Sequence, residues 1–251
     1  MPDLHPTFEM MVRRIERRSP LGEEGREALL TLPHTVRKLP PSAHIIRDGD
    51  RPEHIGLLLS GFAHRYKLTG EGGRQIISIH MASEFVDLQN GLLSVADHSV
   101  QTLTESEVAL IPRRVLEELM LDNARVAHAL WIDTLIDASI FREWVVNVGR
   151  RDSRARVAHL LCEFSLRLEA AGLASNHHYE LPMTQEQLAD AVGLTSVHVN
   201  RVLKHLGEEG LITRDRRSIV IEDWKRMREA GDFNERYLHH DAPAARRLAD
   251  A

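Results

Sequence analysis

The stretch from Thr184 to Leu206, TQEQLADAVGLTSVHVNRVLKHL, constrains this chain more than any other. Thr184 can cap a helix, Gln187 three residues on completes a capping box, and Leu188, Ala191 and Val192 give that helix an apolar stripe. Gly193 ends it. Thr195 can cap a second helix whose inward face is Val199, Val202, Leu203 and Leu206, spaced i, i+3, i+4, i+7. At about 100° per residue, Val197, Arg201 and Lys204 point away from that face, with His198, Asn200 and His205 on its shoulders. The predicted helix holds no acidic residue. Two capped helices joined at a glycine, the second with an acid-free outer face, predict a helix-turn-helix suited to a major groove. The alternative is an ordinary amphipathic pair with a solvated cationic face. Agreement among the caps, the glycine, the short turn and the outer face favours the first reading.

A chain of 251 residues is long enough for two domains with cores of their own. Its 43% apolar and 27% charged residues are ordinary for a water-soluble protein, and its longest apolar runs are too short to span a bilayer. Residues 1–19 carry several arginines but no continuous apolar core, so they are read as an N-terminal helix rather than a signal peptide, and the expected location is the cytoplasm. The single cysteine, Cys162, excludes an internal disulfide and any cysteine-ligated cluster or zinc site within one chain. A lone cysteine inside a helical pattern is read as packing. The formal net charge of −5 is uneven along the chain: residues 150–251 hold 16 basic and 16 acidic residues, residues 1–149 hold 16 and 21. Affinity for a polyanion must therefore come from a local patch, which a dimer would double.

Between His44 and Ile111 short apolar runs alternate with glycine and acidic turns. Ile55 to Leu59, Phe62 to Leu68, Gln75 to His80, Val100 to Leu103 and Val108 to Ile111 read as strands of a small antiparallel barrel or roll. Pro112 opens a helical region, and residues 123–149 form one unbroken pattern, about 40 Å long if fully helical. Along it Ala127, Trp131, Thr134, Ala138, Phe141, Val145 and Val148 alternate by four and three, the spacing of a coiled-coil seam. A second stripe, Leu135 with Ile132, Ile136 and Ile140, is expected to be buried against the roll. A twin chain on the seam is favoured over a single intramolecular helix. Gly149 to Ser153 reads as a hinge, Arg156 to Leu168 as an amphipathic helix, and Gly210 to Ile221 as a β-hairpin with Arg216 and Arg217 at its tip. The tail past Asp223 is expected to be helical at first, then polar and loose.

The expected fold is α+β, in four parts: an antiparallel β-roll over 1–122, a long dimerisation helix over 123–149, a winged helix-turn-helix over 150–225, and a tail over 226–251. This order resembles the Crp/Fnr superfamily of bacterial transcription regulators over nearly the whole chain. The specific signs are the Gly49-Asp50 turn, the strand and turn from Gly56 to Gly61, the hairpin around Glu71 to Ile76, and the Thr184–Leu206 unit. The resemblance implies a cyclic-nucleotide-binding-like roll and a homodimer on a palindromic operator, with reading helices in successive major grooves about 34 Å apart. Double-stranded DNA is the expected partner, with RNA polymerase a further candidate and no membrane involved.

Carried onto this sequence, the reading helix is expected to place Arg201 on guanine O6 and N7 and Val197 near a thymine methyl, where well-studied relatives present an Arg-Glu or Val-Glu pair. Asn200 and His198 are candidates for an adenine or a phosphate. Thr184, Gln185, Thr195 and Ser196 lie where helix N-termini meet the backbone, and Lys204, Arg216 and Arg217 are phosphate candidates. The effector cassette departs from the family pattern. Cyclic-AMP-binding members carry a glycine-glutamate pair and an arginine-serine pair, and the corresponding positions here are Asp87-Leu88 and His98-Ser99. Loss of the guanidinium removes the charge-assisted contact to a cyclic phosphate. These four residues, with Thr134 on the long helix, mark the expected effector pocket. No cofactor is expected, and an unidentified small-molecule effector remains open. The 15 histidines and His98 raise a haem or metal reading, but no close helical histidine pair lies in the roll.

No glycine-rich phosphate loop, HExxH or nucleophile elbow is present, so the chain is not expected to be an enzyme. The competing class is a small-molecule-binding module whose winged domain mediates protein contacts. Salt-dependent binding to duplex DNA separates the two.

Overall fold

A computed structural model describes residues 5–240. The chain divides into two compact units, the first made of residues 5–67 and 78–138, the second of Leu68–Ile77 and Ser139–Leu238.

The chain opens with α1 (Pro6–Glu16) and α2 (Gly22–Leu30), followed by β1 (Thr35–Leu39), β2 (His44–Ile46), β3 (His54–Ser60), β4 (Phe62–Leu68) and β5 (Arg74–Met81), all in the first unit except the Leu68–Ile77 segment of β4 and β5. A 3-10 turn at Leu88–Gly91 leads to β6 (Ser99–Thr102), β7 (Ser106–Pro112) and α3 (Arg113–Asp122). The strands form two antiparallel sheets, ordered β1-β7-β3 and β2-β6-β4-β5, which is the expected roll. β1 and β2 carry no strand signal in the sequence. β3 is buried on both faces because its residues alternate between two cores. Leu57 and Leu59 join Phe8, Met11, Leu29 and Val126 in one cluster, while Leu58 joins Ala63, Val86, Val100 and Val108 in the other. Each such fully buried side chain contributes about 1.5–3 kcal/mol relative to exposure.

Helix α4 (Ala124–Arg150) follows α3 after one residue. Val126, Ala129, Leu130 and Ile136 are buried on it, but Leu135 is 48% exposed, so the expected second stripe is corrected: Leu135 sides with the seam rather than the core. Asp133 receives Arg14 and Arg18 from α1, and Asp137 receives Arg65 Nη1 at 2.8 Å from β4. These ion pairs fix the first half of α4 within its unit.

The second unit is built around α5 (Ser153–Ala170), capped by Asp152, whose side chain accepts from Ala155 N. α5 was expected to be amphipathic and is instead buried all round: His159, Cys162, Glu163 and Ser165 are as enclosed as Leu161 and Phe164. Around it pack α6 (Gln185–Val192), α7 (Ser196–Glu208) and α8 (Trp224–Ala230). A three-stranded sheet, β8 (His178–Glu180), β10 (Ser218–Ile221) and β9 (Ile212–Asp215) in that order, completes the unit. The last turns of α4 belong here, so the hinge expected at Gly149 to Ser153 lies inside this unit. The expected loose tail is also corrected, because Phe233 and Leu238 are buried in the unit. Residues 241–251 of that tail lie outside the described residues.

Candidate nucleic-acid interface

The helix-turn-helix forms as its local chemistry requires. Thr184 Oγ1 accepts from Gln187 N at 3.2 Å while Gln187 Oε1 accepts from Thr184 N at 2.9 Å, so both orphan donors at the start of α6 are satisfied. Gly193 stops α6 with φ +64°, a left-handed conformation that costs a side chain about 1 kcal/mol or more. Thr195 then caps α7 by accepting from His198 N at 3.3 Å. Val199, Val202, Leu203 and Leu206 are buried, and the opposite face of α7 is open.

That open face carries Val197, Asn200, Arg201 and Lys204, all exposed, with His198 half-buried beside them. Val197 is 69% exposed, a branched apolar side chain left open to solvent. Gln185 Nε2 donates to Asn200 Oδ1 at 3.3 Å and so ties the start of α6 to this face. α7 runs two residues further than expected, which corrects the acid-free reading. Lys204 Nζ lies 3.5 Å from Glu208 Oε1, and His205 Nε2 lies 2.8 Å from Glu209 Oε1. The acids sit at the C-terminal end of the helix, leaving Ser196 to Arg201 without a carboxylate.

The hairpin β9–β10 turns at Arg216 and Arg217, with Asp215 paired to Ser218. Arg216 holds φ +52°, a position where glycine or asparagine is normally found. Arg214, which the sequence reading passed over, donates from Nε to Arg216 O at 3.1 Å. Arg214, Arg216 and Arg217 line a cleft of about 180 Å³ together with Thr184 and Gln185 at the start of α6. Guanidinium groups facing the positive end of a helix form a setting for a phosphate.

Two positioning contacts were also invisible in the local pattern. Arg156 on α5 donates from Nη1 to Val192 O at 3.2 Å and Gly193 O at 3.4 Å, capping the last carbonyls of α6 and holding the turn. Arg154 pairs with Glu209 through two bonds, at 3.2 and 2.5 Å, and fixes the far end of α7. Neither arginine lies in a recognisable motif, since their partners are backbone or a residue more than fifty positions away.

In the roll, the expected effector residues are engaged with the protein itself. Asp87 Oδ1 and His98 Nε2 are 3.2 Å apart, both buried, and His98 Nδ1 lies 2.6 Å from Asp97 Oδ1. Ser99 Oγ accepts from Asp48 N at 3.1 Å, Leu88 packs against the larger hydrophobic cluster, and Thr134 Oγ1 donates to Leu130 O in its own helix. Among the described residues, no group of three His, Cys, Asp or Glu side chains is placed to hold a metal ion. Cys162 is fully buried, and burial pushes its thiol well above the usual range, as suits a packing residue.

Along α4, Trp131, Phe141 and Val145 are 63%, 44% and 53% exposed, while Ala127, Thr134, Ala138 and Val148 are half-buried. The seam is therefore an open apolar stripe on the helix. Among the described residues, no helix is long and apolar enough to cross a membrane.

A capped helix pair with a cationic reading face and an arginine-tipped wing defines a DNA-binding regulator. Residues 155–230 match the Crp-like helix-turn-helix domain family, and residues 36–123 match the cyclic nucleotide-binding domain family. The chain is 30% identical to the transcriptional activator protein FnrL of Cereibacter sphaeroides over 193 residues, covering 75% of this chain and 77% of FnrL. It is 28% identical to the nitrogen fixation regulation protein FixK of Rhizobium meliloti, over 75% of this chain and 83% of FixK. The solved structure of FixK2 from Bradyrhizobium japonicum superimposes with a TM-score of 0.74 at 25% identity, covering 79% of this chain and 98% of that one. The chain belongs to the Crp/Fnr superfamily of DNA-binding transcription regulators.

Proposed function

We propose that this regulator acts as a homodimer, joined along the seam of α4, that activates transcription from a two-fold symmetric operator in the cytoplasm. The observation that carries the reading is the outer face of α7, where Val197, Asn200 and Arg201 stand exposed and unopposed by any acid on the first two turns. Arg201 is assigned to a guanine, Val197 to a thymine methyl and Asn200 to a neighbouring base edge. Thr184, Gln185, Thr195, Ser196, His198, Lys204, Arg214, Arg216 and Arg217 are assigned to the backbone. The open stripe of Trp131, Phe141 and Val145, which a twin chain would cover, supports dimerisation. Relatives named as activators support an activating role, with RNA polymerase as the further contact.

The roll is not assigned a cyclic nucleotide. Asp87 and His98 pair with each other where family members keep groups for ribose and phosphate, and no guanidinium stands at His98 to meet a phosphate. No cofactor and no catalytic activity are assigned.

Selection from randomised duplexes, followed by titration at several salt concentrations, tests the proposal. The expected result is an enriched palindrome bound with a steep inverse dependence on salt. Failure to enrich any duplex by a folded dimer, or sedimentation as a monomer unaffected by Phe141→Glu, would overturn it.

A further inference from the structure

Behind the reading unit, the buried His159 and Glu163 and the half-buried Tyr237 form a chain of contacts that DNA recognition does not use. His159 and Glu163 lie one turn apart on α5, both with no exposed surface. His159 Nδ1 is 3.1 Å from Gly231 O, His159 Nε2 is 3.0 Å from Tyr237 Oη, and Tyr237 Oη is 2.8 Å from Glu163 Oε2. Glu163 also accepts from Trp144 Nε1, on the last turns of α4, at 2.9 and 3.2 Å, and from Arg167 Nη1 at 3.2 Å.

Counting hydrogens decides what this chain can be. A carbonyl oxygen only accepts, an ionised carboxylate only accepts, a neutral imidazole carries one N–H and a phenol carries one O–H. The contacts Gly231–His159, His159–Tyr237 and Tyr237–Glu163 need three hydrogens, and the ordinary forms hold two. If His159 donates to Gly231 and Tyr237 donates to Glu163, the middle contact sets lone pair against lone pair. If Tyr237 turns to His159, its oxygen faces Glu163 with no hydrogen between them. Moving the imidazole hydrogen to Nε2 leaves Nδ1 facing a carbonyl. One added proton, anywhere on the chain, completes all three bonds. Burial and the Glu163 carboxylate push the Tyr237 phenol far up, so it keeps its own hydrogen. Burial holds His159 below its usual value while the neighbouring Glu163 carboxylate opposes this, so an imidazolium by itself is disfavoured and any added proton must be shared along the three contacts.

The charged groups around the chain do not meet this need. Arg167 faces Glu163 from α5 itself. From α4, Glu143 Oε1 lies 3.8 Å from His159 Nε2 but is bound to Arg151 Nη2 at 2.6 Å, and Arg151 also reaches Asp232 at 3.3 Å. On the C-terminal side, Arg228 and Glu235 pair with each other at 2.5 Å.

We propose that Glu163, Tyr237 and His159 form a proton-binding site that takes up one proton when the Gly231–Leu238 segment closes on α5, so that acidity tightens this clamp and alkalinity loosens it. The clamp joins the last turns of α4, through Trp144, to the helix on which the reading unit packs. The sign follows from linkage: the folded chain binds a proton that the unfolded chain releases, so the contribution is present at low pH and lost as pH rises through the site's own titration.

Equilibrium denaturation of the full chain without DNA, from about pH 6 to about pH 9, tests the site. Glu163→Gln places an amide N–H against Tyr237 O and frees the phenol hydrogen for His159 Nε2, so all three bonds form with no added proton, while Trp144 Nε1 keeps its bond to the remaining oxygen in the place of Oε1. The wild-type folding constant is expected to fall toward alkaline pH by up to about tenfold per pH unit relative to Glu163→Gln. Tyr237→Phe removes both phenol contacts and the need for the proton, and should flatten the profile too. A wild-type profile parallel to that of either folded variant would overturn the proposal. Since no DNA is present, that outcome leaves the assignment of the reading face untouched.

Discussion

Gln185 on the first turn of α6 donates its amide N–H to Asn200 Oδ1 on the outer face of α7, 3.3 Å away. With its oxygen so engaged, Asn200 turns its amide hydrogens outward and is set to meet acceptors, such as guanine N7 and O6 or thymine O4, rather than to pair with adenine through both atoms. Gln185→Ala releases that orientation. The expected outcome is a broader base preference at one operator position with a loss of no more than about 1.5 kcal/mol in affinity, at unchanged thermal stability. Binding to a panel of operators mutated at each position measures it. An unaltered preference in the variant would show that the contact does not position Asn200.

Arg201 and Lys204 are both exposed, one turn apart, yet they should behave differently. Arg201 lies on the carboxylate-free part of α7, free to meet a guanine with both arms of its guanidinium, whereas Lys204 is drawn toward Glu208 at 3.5 Å. Arg201→Ala should cost about 1–3 kcal/mol on the best operator and relax one base pair of the site. Lys204→Ala should weaken every duplex alike and lower the salt slope by about one at most. Equal loss on specific and random DNA for Arg201→Ala would contradict the assignment.

Val197 offers the cleanest chemical test, because its 69% exposure leaves two methyl groups in water until something covers them. A pyrimidine 5-methyl is the apolar group a major groove presents. Replacing thymine by uracil at each operator position removes that methyl and nothing else. One substitution per half-site is expected to weaken the wild-type protein by about 1 kcal/mol, roughly the value of one buried methyl, and to leave Val197→Ala unaffected. Equal sensitivity of both proteins at every position would show that Val197 reads no methyl.

At the wing tip, Arg216 occupies φ +52°, where a residue with a Cβ is held at a cost of about 1 kcal/mol. Retention of arginine in a position that suits glycine points to use of its charge. Arg216→Gly should therefore raise the stability of the free protein by up to about 1 kcal/mol while weakening DNA binding and reducing the salt slope by about one. Thermal melts and titrations on the same preparation would read both effects. A variant that gains stability and binds as before would exclude the wing tip from the interface.

What could be read without the structure was whatever is encoded locally. The caps at Thr184 and Thr195 and the stop at Gly193 depend on neighbours within four residues, and each stands where its pattern placed it. β1 was invisible because four of its five residues are exposed and its partner β7 lies some seventy positions on, so no alternation marks it. Periodicity alone places Leu135 in the core, and it is 48% exposed. A stripe at helical spacing does not say which of two adjacent faces meets the protein and which stays open. Arg156 and Arg154 were passed over for a related reason, since a guanidinium that holds a distant carbonyl or carboxylate looks, in sequence, like any other charge. Burial on all sides of α5 likewise depends on how many elements surround it, and His159, Glu163 and Arg167 in its sequence look like an ordinary polar face.

His80 on β5 sets a pH dependence of the opposite sign to that of the proton site. Its side chain is enclosed, Nε2 has no hydrogen-bond partner among the described residues, and Nδ1 is 3.7 Å from Glu84 Oε2. Burial is the leading cause that holds it below the usual histidine value; Arg65 adds to this, while Glu84 and Asp137 oppose it. A histidine depressed in the folded state is kept neutral there and charges more readily when unfolded. Its contribution is present above the unfolded value, about 6.5, and is lost as pH falls from there through the folded value. His80→Leu should therefore flatten the acid limb of the stability profile below about pH 6.5. The alkaline limb, which depends on Glu163, Tyr237 and His159, should remain. Denaturation midpoints across the two limbs separate these contributions, and an acid limb in His80→Leu as steep as in wild type would assign that loss to other groups.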